Sequence, residues 1–412
     1  MRTTSRGLLC LTLIVSVVGA AHVGAQLAAG AAVEAEIAAG WDLARRSDAA
    51  REGEPAQESS AGAKPASVYD RIWKFFEWYR NDSNRVLQRL RFSGRYQHDY
   101  STLESDQGDS SEWNVRRMRM GLRANLFRTI TLHGEVDLNP QEADPVYVRL
   151  TDMYVEWSRS DRLAVTVGKQ SIPFTADGAT SSRELLAIDR SNLTNNLWFP
   201  QEYLPGVTAS GSLSPWVYHV GLYSAGKRNR EFGEFTGGVA TLGSLGYDFA
   251  KVAGAKEALL AVNYVYQDPD PDNTFTQPFQ HIVSVNLRFE TNRWWGIRSD
   301  LSMASGYFSQ SDVWGVMAMP YVNATGKLQF VGRYTFLDSE DPNGIELGTY
   351  EDRVVPGRGD RYHELYLGSN YYFYAHRLKL QTGVQFADMR DLANDGGIYS
   401  GVWWTTGVRV GW

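Results

Sequence analysis

Cysteine is all but missing from the 412-residue chain, and the one present, Cys10, lies in an N-terminal apolar run over 8–18 that follows Arg2 and Arg6. That run is too short to span a membrane as a helix. With the small residues leading to Val23, Gly24 and Ala25 it reads as a secretory signal peptide over 1–25. Cys10 would leave with it, so the mature chain is expected to hold no disulfide, no cysteine–zinc site and no cysteine nucleophile. Leu9, rather than a small residue, precedes the cysteine, which argues against an acyl anchor.

An excess of basic charge is missing too. Without the signal the chain keeps 39 basic against 47 acidic side chains, which excludes a broad nucleic-acid footprint. No apolar run of about 18 residues follows Val18, which excludes helical membrane spans and leaves strands untouched. There is no phosphate-binding P-loop, zinc-binding helix motif or calcium loop, and DSEDPNG at 338–344 lacks EF-hand spacing, so no cofactor or metal is expected.

What the chain does have is aromatic weight, 13 Trp, 22 Tyr and 17 Phe, and alternation. In RMRMGLRANL at 117–126, Arg117, Arg119 and Arg123 fall on one side while Met118, Met120, Leu122, Ala124 and Leu126 fall on the other. That is the period of a strand, since successive side chains leave opposite faces of the pleat. Similar segments suggest sixteen strands, near 88–97, 114–127, 129–138, 149–158, 162–170, 206–213, 216–224, 236–249, 257–267, 280–291, 293–305, 312–322, 326–337, 361–374, 376–387 and 400–412. Their connections alternate between tight links and longer ones at 98–113, 139–148, 171–205, 225–235, 268–279, 306–311, 338–360 and 388–399. An even strand number with tight turns on one rim and loops on the other is the pattern of an outer-membrane barrel, and a sandwich has no reason to follow it. The chain ends on a strand with Trp404 and Trp412 on one face.

The fold expected is therefore all-β: a 16-stranded antiparallel transmembrane β-barrel over 88–412. Residues 26–87 form an N-terminal periplasmic leader, ending in an aromatic stretch at 68–84 that suits docking at the barrel mouth. Arg117, Arg119 and Arg123 then face a watery lumen, because a cationic side chain on the lipid face costs about 2–4 kcal/mol at mid-depth.

Several segments resemble the phosphate-selective porin O and P family: FSGRYQHDY at 92–100, RRMRMGLRANLF at 116–127, LTDMYVEW at 150–157, VGKQSIPF at 167–174 and LTNNLWFPQEYLPGVTASG at 193–211. The resemblance runs from about residue 70 to the end. It implies an outer-membrane channel for small hydrophilic solutes, a homotrimer, and a third external loop folded inward as a constriction. The link 171–205 is the longest and falls third among the long ones, which suits that role independently.

The lumen inventory reads Arg89, Arg91 and Arg95 on the first strand, Arg117, Arg119 and Arg123 on the second, then Arg288, Arg298, Lys327, Arg333, Arg377, Lys379 and Arg409. Glu135, Asp137, Asp152, Glu156, Glu290, Asp300 and Glu364 stand against them. Two readings stay open: the charges neutralise one another as cross-strand pairs, or they create a field that favours anions, phosphate included. The third loop adds Asp177, Arg183, Glu184, Asp189 and Arg190, and SSRELLAIDR at 181–190 suggests a short helix capped by Ser181 or Ser182. Glu340, Asp341, Glu346, Glu351 and Asp352 suggest an acidic external vestibule on the seventh loop, which would repel phosphate.

Catalysis has little support. His98, His133, His219, His281, His363 and His376 are scattered with no local Ser or Asp motif, and His133 beside Glu135 suits a wall histidine better than a base. The alternatives to a channel are a structural barrel anchor with a closed lumen or a barrel hydrolase.

Overall fold

The computed structural model describes residues 67–142, 144–197, 203–224, 232, 238–273 and 276–412. The expected signal peptide, and the leader as far as residue 66, lie outside the described residues.

Sixteen strands form the wall: β1 Leu87–Ser105, β2 Gly108–Leu126, β3 Ile130–Leu138, β4 Tyr147–Ser160, β5 Leu163–Ser171, β6 Tyr203–Leu213, β7 Trp216–Ser224, β8 Val239–Asp248, β9 Glu257–Gln267, β10 Phe279–Glu290, β11 Trp295–Gly306, β12 Val313–Asn323, β13 Leu328–Ser339, β14 Arg361–Tyr374, β15 Leu378–Arg390 and β16 Tyr399–Gly411. Each pairs antiparallel with its neighbours in sequence. β16 pairs with β1 from Gly401↔Ser105 to Gly411↔Arg95 and closes the ring. Closure leaves no edge of unpaired backbone groups, as a sheet in hydrocarbon requires. No helix among the described residues is long and apolar enough to cross a membrane.

The two faces follow the alternation. Leu122, Leu132, Val155, Val167, Val207, Val220 and Leu222 are exposed on the outside, as an apolar band facing lipid must be. One rim carries the tight links 127–129, 161–162, 214–215, 291–294, 324–327 and 375–377, with a longer one at 249–256. The other carries 139–146, 172–202, 225–238, 268–278, 307–312, 340–360 and 391–398.

The first connection on that second rim departs from expectation. Instead of a loop over 98–113, β1 and β2 continue to Ser105 and Gly108 and turn through Asp106 and Gln107. Alternation persists along β1: Asp99, Ser101 and Leu103 remain buried inside, while Tyr100 meets Trp113 of β2 on the outer face. Gly108, at φ +145°, completes the turn.

Helix α1, Val68–Lys74, starts at a capping box in which Ser67 and Asp70 bond each other's backbone N–H. A short strand, Glu77–Arg80, then pairs with β1 at Arg89–Arg91, beyond the point where β16 ends on the same edge. Tyr69 and Trp73 pack on Tyr374, Phe76 stacks on Trp412, and Trp78 on Phe92. The Trp73 indole N–H donates to the Gly411 carbonyl at 2.6 Å. The aromatic stretch therefore covers the β16–β1 seam at the tight-turn rim.

Candidate functional site: the lumen and its inward loops

Cross-strand register sorts the lumen charges into rows. One row reads Arg95, Arg119, Asp137, Arg149 across β1 to β4, with Glu135 on the adjacent inward position of β3. Here the neutralising reading holds. Arg95 meets Glu135 at 3.2 Å, Arg119 meets Asp137 at 3.3 Å and Glu135 at 3.9 Å, and Arg149 meets Asp137 at 3.6 Å. Arg119 is fully buried, with its guanidinium also donating to the Tyr203 hydroxyl. A second row, nearer the tight-turn rim, reads Arg91, Arg123, His133, Tyr154, with Glu77 of the short N-terminal strand opposite Arg91 on the other side. The charges bearing most on Arg91 are three further guanidiniums, Arg123, Arg183 and Arg377.

Alternation predicts an outward Arg116, and the structure places it inside. The register slips between Gln97 and His98, so that β2 has one residue more than β1 at this level. Such a bulge reverses parity locally, and Arg116 and Arg117 both turn inward. Arg116 bonds the Asp189 carboxylate at 3.0 Å and the Thr349 hydroxyl at 3.4 Å. Burial pushes the Asp189 carboxyl up, and Arg116, Arg117 and the Arg190 backbone N–H together outweigh it, holding the group down at about 2. Two consecutive arginines inside an alternating strand were the only sequence signal of this site.

The third loop, 172–202, joins β5 to β6, and most of its described residues are buried. The helix expected over 181–190 does not form; the loop's helix, α2, is Asn192–Leu197. The reason is visible in the hydrogen bonds. Wall side chains claim the backbone carbonyls that a helix would use internally: Gln97 donates to Ser182 O, Lys379 and Gln381 to Leu185 O, Asn370 to Leu186 O, Arg409 to Ile188 O and Arg333 to Asp189 O. Asp300 accepts the Ala176 N–H at 2.8 Å, and Arg288 donates to the Ala176 carbonyl. Within the loop, Asp177 accepts the Ser191 N–H, Arg190 donates to Asp177 O and Thr180 O, and Arg183 reaches Glu135 at 3.9 Å. Glu184 is half-buried and acts electrostatically on Arg183.

This divides the lumen cations by what they do. Arg95, Arg117, Arg119, Arg333, Lys379 and Arg409 are at most 7 % exposed. Arg333 holds Glu364 at 2.6 Å, and Arg409 holds Asp99. Arg89, Arg91, Arg123 and Arg377 are only half-buried, and Arg89 pairs with Glu77 of the short N-terminal strand at 2.8 Å. Lys327 lies exposed in a tight link.

The lumen is also less polar than the charge inventory suggests. Leu242, Val265, Ile282, Val313, Met317 and Tyr321, from β8 to β12, point inward and join Ile172, Phe174, Leu193 and Leu197 of the third loop in one buried cluster. The seventh loop, 340–360, is not wholly an external vestibule either: Leu347, Tyr350, Glu351 and Val355 are buried against the lumen wall. Their apolar and aromatic neighbours inside, Trp403 and Tyr362 among them, give these side chains a burial that the rim lacks.

Solved structures with the same fold bear on the class. The outer-membrane channel DcaP of Acinetobacter baumannii is 13% identical, with a TM-score of 0.53 over 81% of this chain and 99% of its own. OprB of Pseudomonas putida is 10% identical, with 0.56 over 78% and 94%. An anion-selective porin from Comamonas acidovorans is 10% identical, with 0.55 over 78% and 99%. No curated protein sequence matches the chain. A closed sixteen-stranded barrel with an apolar outside and a charged inside that folds around a loop has the architecture of an outer-membrane porin, a channel for diffusion. The sequence profile of the phosphate-selective porin O and P family matches residues 90–324, more than half of the chain, and the chain belongs to that family.

Proposed function

We propose that this outer-membrane channel passes small hydrophilic solutes with a preference for anions, set by Arg91, Arg123, Arg183 and Arg377. The observation that carries this reading is the second row: two arginines directly opposite each other, continued on one side by a histidine and a tyrosine, while Glu77 on the other side is paired with Arg89 at 2.8 Å. The first row, by contrast, is balanced by Glu135 and Asp137 and serves to hold the third loop. That loop is the constriction, and Arg183 brings its own charge to the cluster. Guanidiniums grip phosphate by paired hydrogen bonds, so phosphate belongs among the solutes tested. A relative of the same fold is named an anion-selective porin, which agrees with this reading.

The deciding experiment is the reversal potential of the purified protein in a planar bilayer under a potassium chloride gradient, repeated with phosphate as the anion. Anion preference in the wild type, reduced in Arg91→Ser/Arg123→Ser, is expected. A cation-preferring wild type would overturn the reading. Three further features belong to the proposal. The barrel assembles as a homotrimer, checked by native electrophoresis in mild detergent. Residues 1–25 are removed on export, checked by N-terminal sequencing of the mature protein. Residues 26–87 lie on the periplasmic side, checked by protease accessibility in intact cells.

A further inference from the structure

The seventh loop carries chemistry that an external vestibule has no use for. Glu351 sits in its single 3₁₀ turn, Glu351–Arg353, and is buried inside the barrel. Donors from three wall strands converge on one of its oxygens: Gln385 Nε2 at 2.6 Å from β15, Trp403 Nε1 at 2.9 Å from β16, and the Tyr362 hydroxyl at 3.4 Å from β14. Desolvating a carboxyl is costly unless donors replace water, and here the wall supplies them.

The residues on either side extend the seat. The Tyr350 ring lies 4.8 Å from that of Trp403, and its hydroxyl donates to Asp99 on β1 at 3.1 Å. Arg353 packs over Tyr350 and bonds Ser101 at 3.2 Å. The loop thus spans the inner wall from β14 round to β1. It is also fastened to the third loop: Asn192 and Asn196 both donate to the Glu346 carbonyl at 2.9 Å, and Asn196 accepts the Glu346 N–H at 2.8 Å. Arg116 bridges the two loops through Asp189 and Thr349.

We propose that residues 345–359 form a second constriction element, so that the size limit of the pore is set by the third and seventh loops together, with Glu351 as the positioning residue that seats the seventh. The inference rests on the channel reading and is independent of the sign of its selectivity.

The test uses the full-length protein in planar bilayers, for single-channel conductance, and in liposomes, for swelling by sugars of increasing size. Glu351→Ala removes the acceptor on which Tyr362, Gln385 and Trp403 converge, and is expected to raise conductance and admit larger sugars. Glu351→Gln keeps a carbonyl oxygen at that point and is expected to restore both to the wild-type values. Asn196→Ala with Tyr350→Phe loosens the same loop through other contacts, and it decides the matter should Glu351→Ala fail to insert. Folded variants with wild-type conductance and an unchanged sugar cut-off would overturn the proposal. The reversal potential of the wild type tests the anion reading separately, because a size limit can move whatever the sign of the selected ion.

Discussion

Arg91 on β1 and Arg123 on β2 stand directly opposite each other on the inner wall, two guanidiniums in register with His133 next in the row. Like charges directly opposite are unfavourable in a sheet, and four strand positions along β1 the equivalent pair, Arg95 and Arg119, is balanced by Glu135 and Asp137. Under the proposed function, the first pair is charge kept for solutes and the second is charge kept for structure.

Replacing both members of the first pair, Arg91→Ser with Arg123→Ser, should shift the reversal potential toward cations. The shift should be largest at low salt, where a Debye length of about 30 Å at 0.01 M leaves wall charges unscreened. Folding should survive, because both side chains are only half-buried. An unchanged potential in the folded variant would remove these arginines from the selectivity mechanism.

Arg119→Ser should behave in the opposite way. Its guanidinium is fully buried between Asp137 and Glu135, and taking one partner from such a network costs about 3–5 kcal/mol. The expected result is a lower midpoint for heat-induced loss of the compact barrel on gels, with little independent effect on ion preference. Of the three arginines that alternation places on the inner face, Arg117 and Arg119 are buried and Arg123 is half-buried.

Met118→Arg tests which side of β2 faces lipid. Met118 lies on the outer face, opposite Tyr96 of β1 and Leu138 of β3, and a charge there should cost about 2–4 kcal/mol at mid-depth. Impaired assembly in detergent or lipid is the expected outcome; normal insertion would show the assignment inverted.

Phe174→Ala should loosen the third loop from the wall. Phe174 is fully buried in the cluster with Leu193, Leu197 and the inward residues of β8 to β12, and truncating a buried phenylalanine costs about 3–5 kcal/mol. Larger and noisier single-channel currents are expected, while an unaltered trace would place the loop's restraint in its polar contacts with Arg333, Lys379 and Arg409.

Acidity should tighten the seventh loop. Burial, with Glu364 adding to it, pushes the Glu351 carboxyl above its ordinary value. The other groups facing it are Tyr362, Gln385, Trp403 and Tyr399, and Arg333 is occupied by Glu364. A carboxyl whose value is raised when seated favours the seated state most strongly below about pH 4.3, its value in solvent. That preference is lost as pH rises through the raised value. Conductance should therefore fall on acidification, and Glu351→Gln, which cannot titrate, should flatten this part of the pH dependence.

The barrel itself was legible in the chain. Strand existence, parity and the two rims follow from local alternation and turn spacing, because a lipid-facing strand must be apolar at every second residue wherever it stands in the sequence. The exclusions were equally local, since one cysteine in an apolar leader and the missing long apolar runs need no coordinates. What only the tertiary structure decided lies inside. The bulge that turns Arg116 inward depends on the partner strand, and the helix expected over 181–190 gave way to carbonyls bonded by Gln97, Arg333, Asn370, Lys379 and Arg409 from five different strands. Glu351 reads as one more acidic loop residue until Tyr362, Gln385 and Trp403 are seen to converge on it. Alternation reports which face of a strand a side chain leaves, but the pairing of a lumen charge is set by residues distant in sequence that closure of the ring brings together.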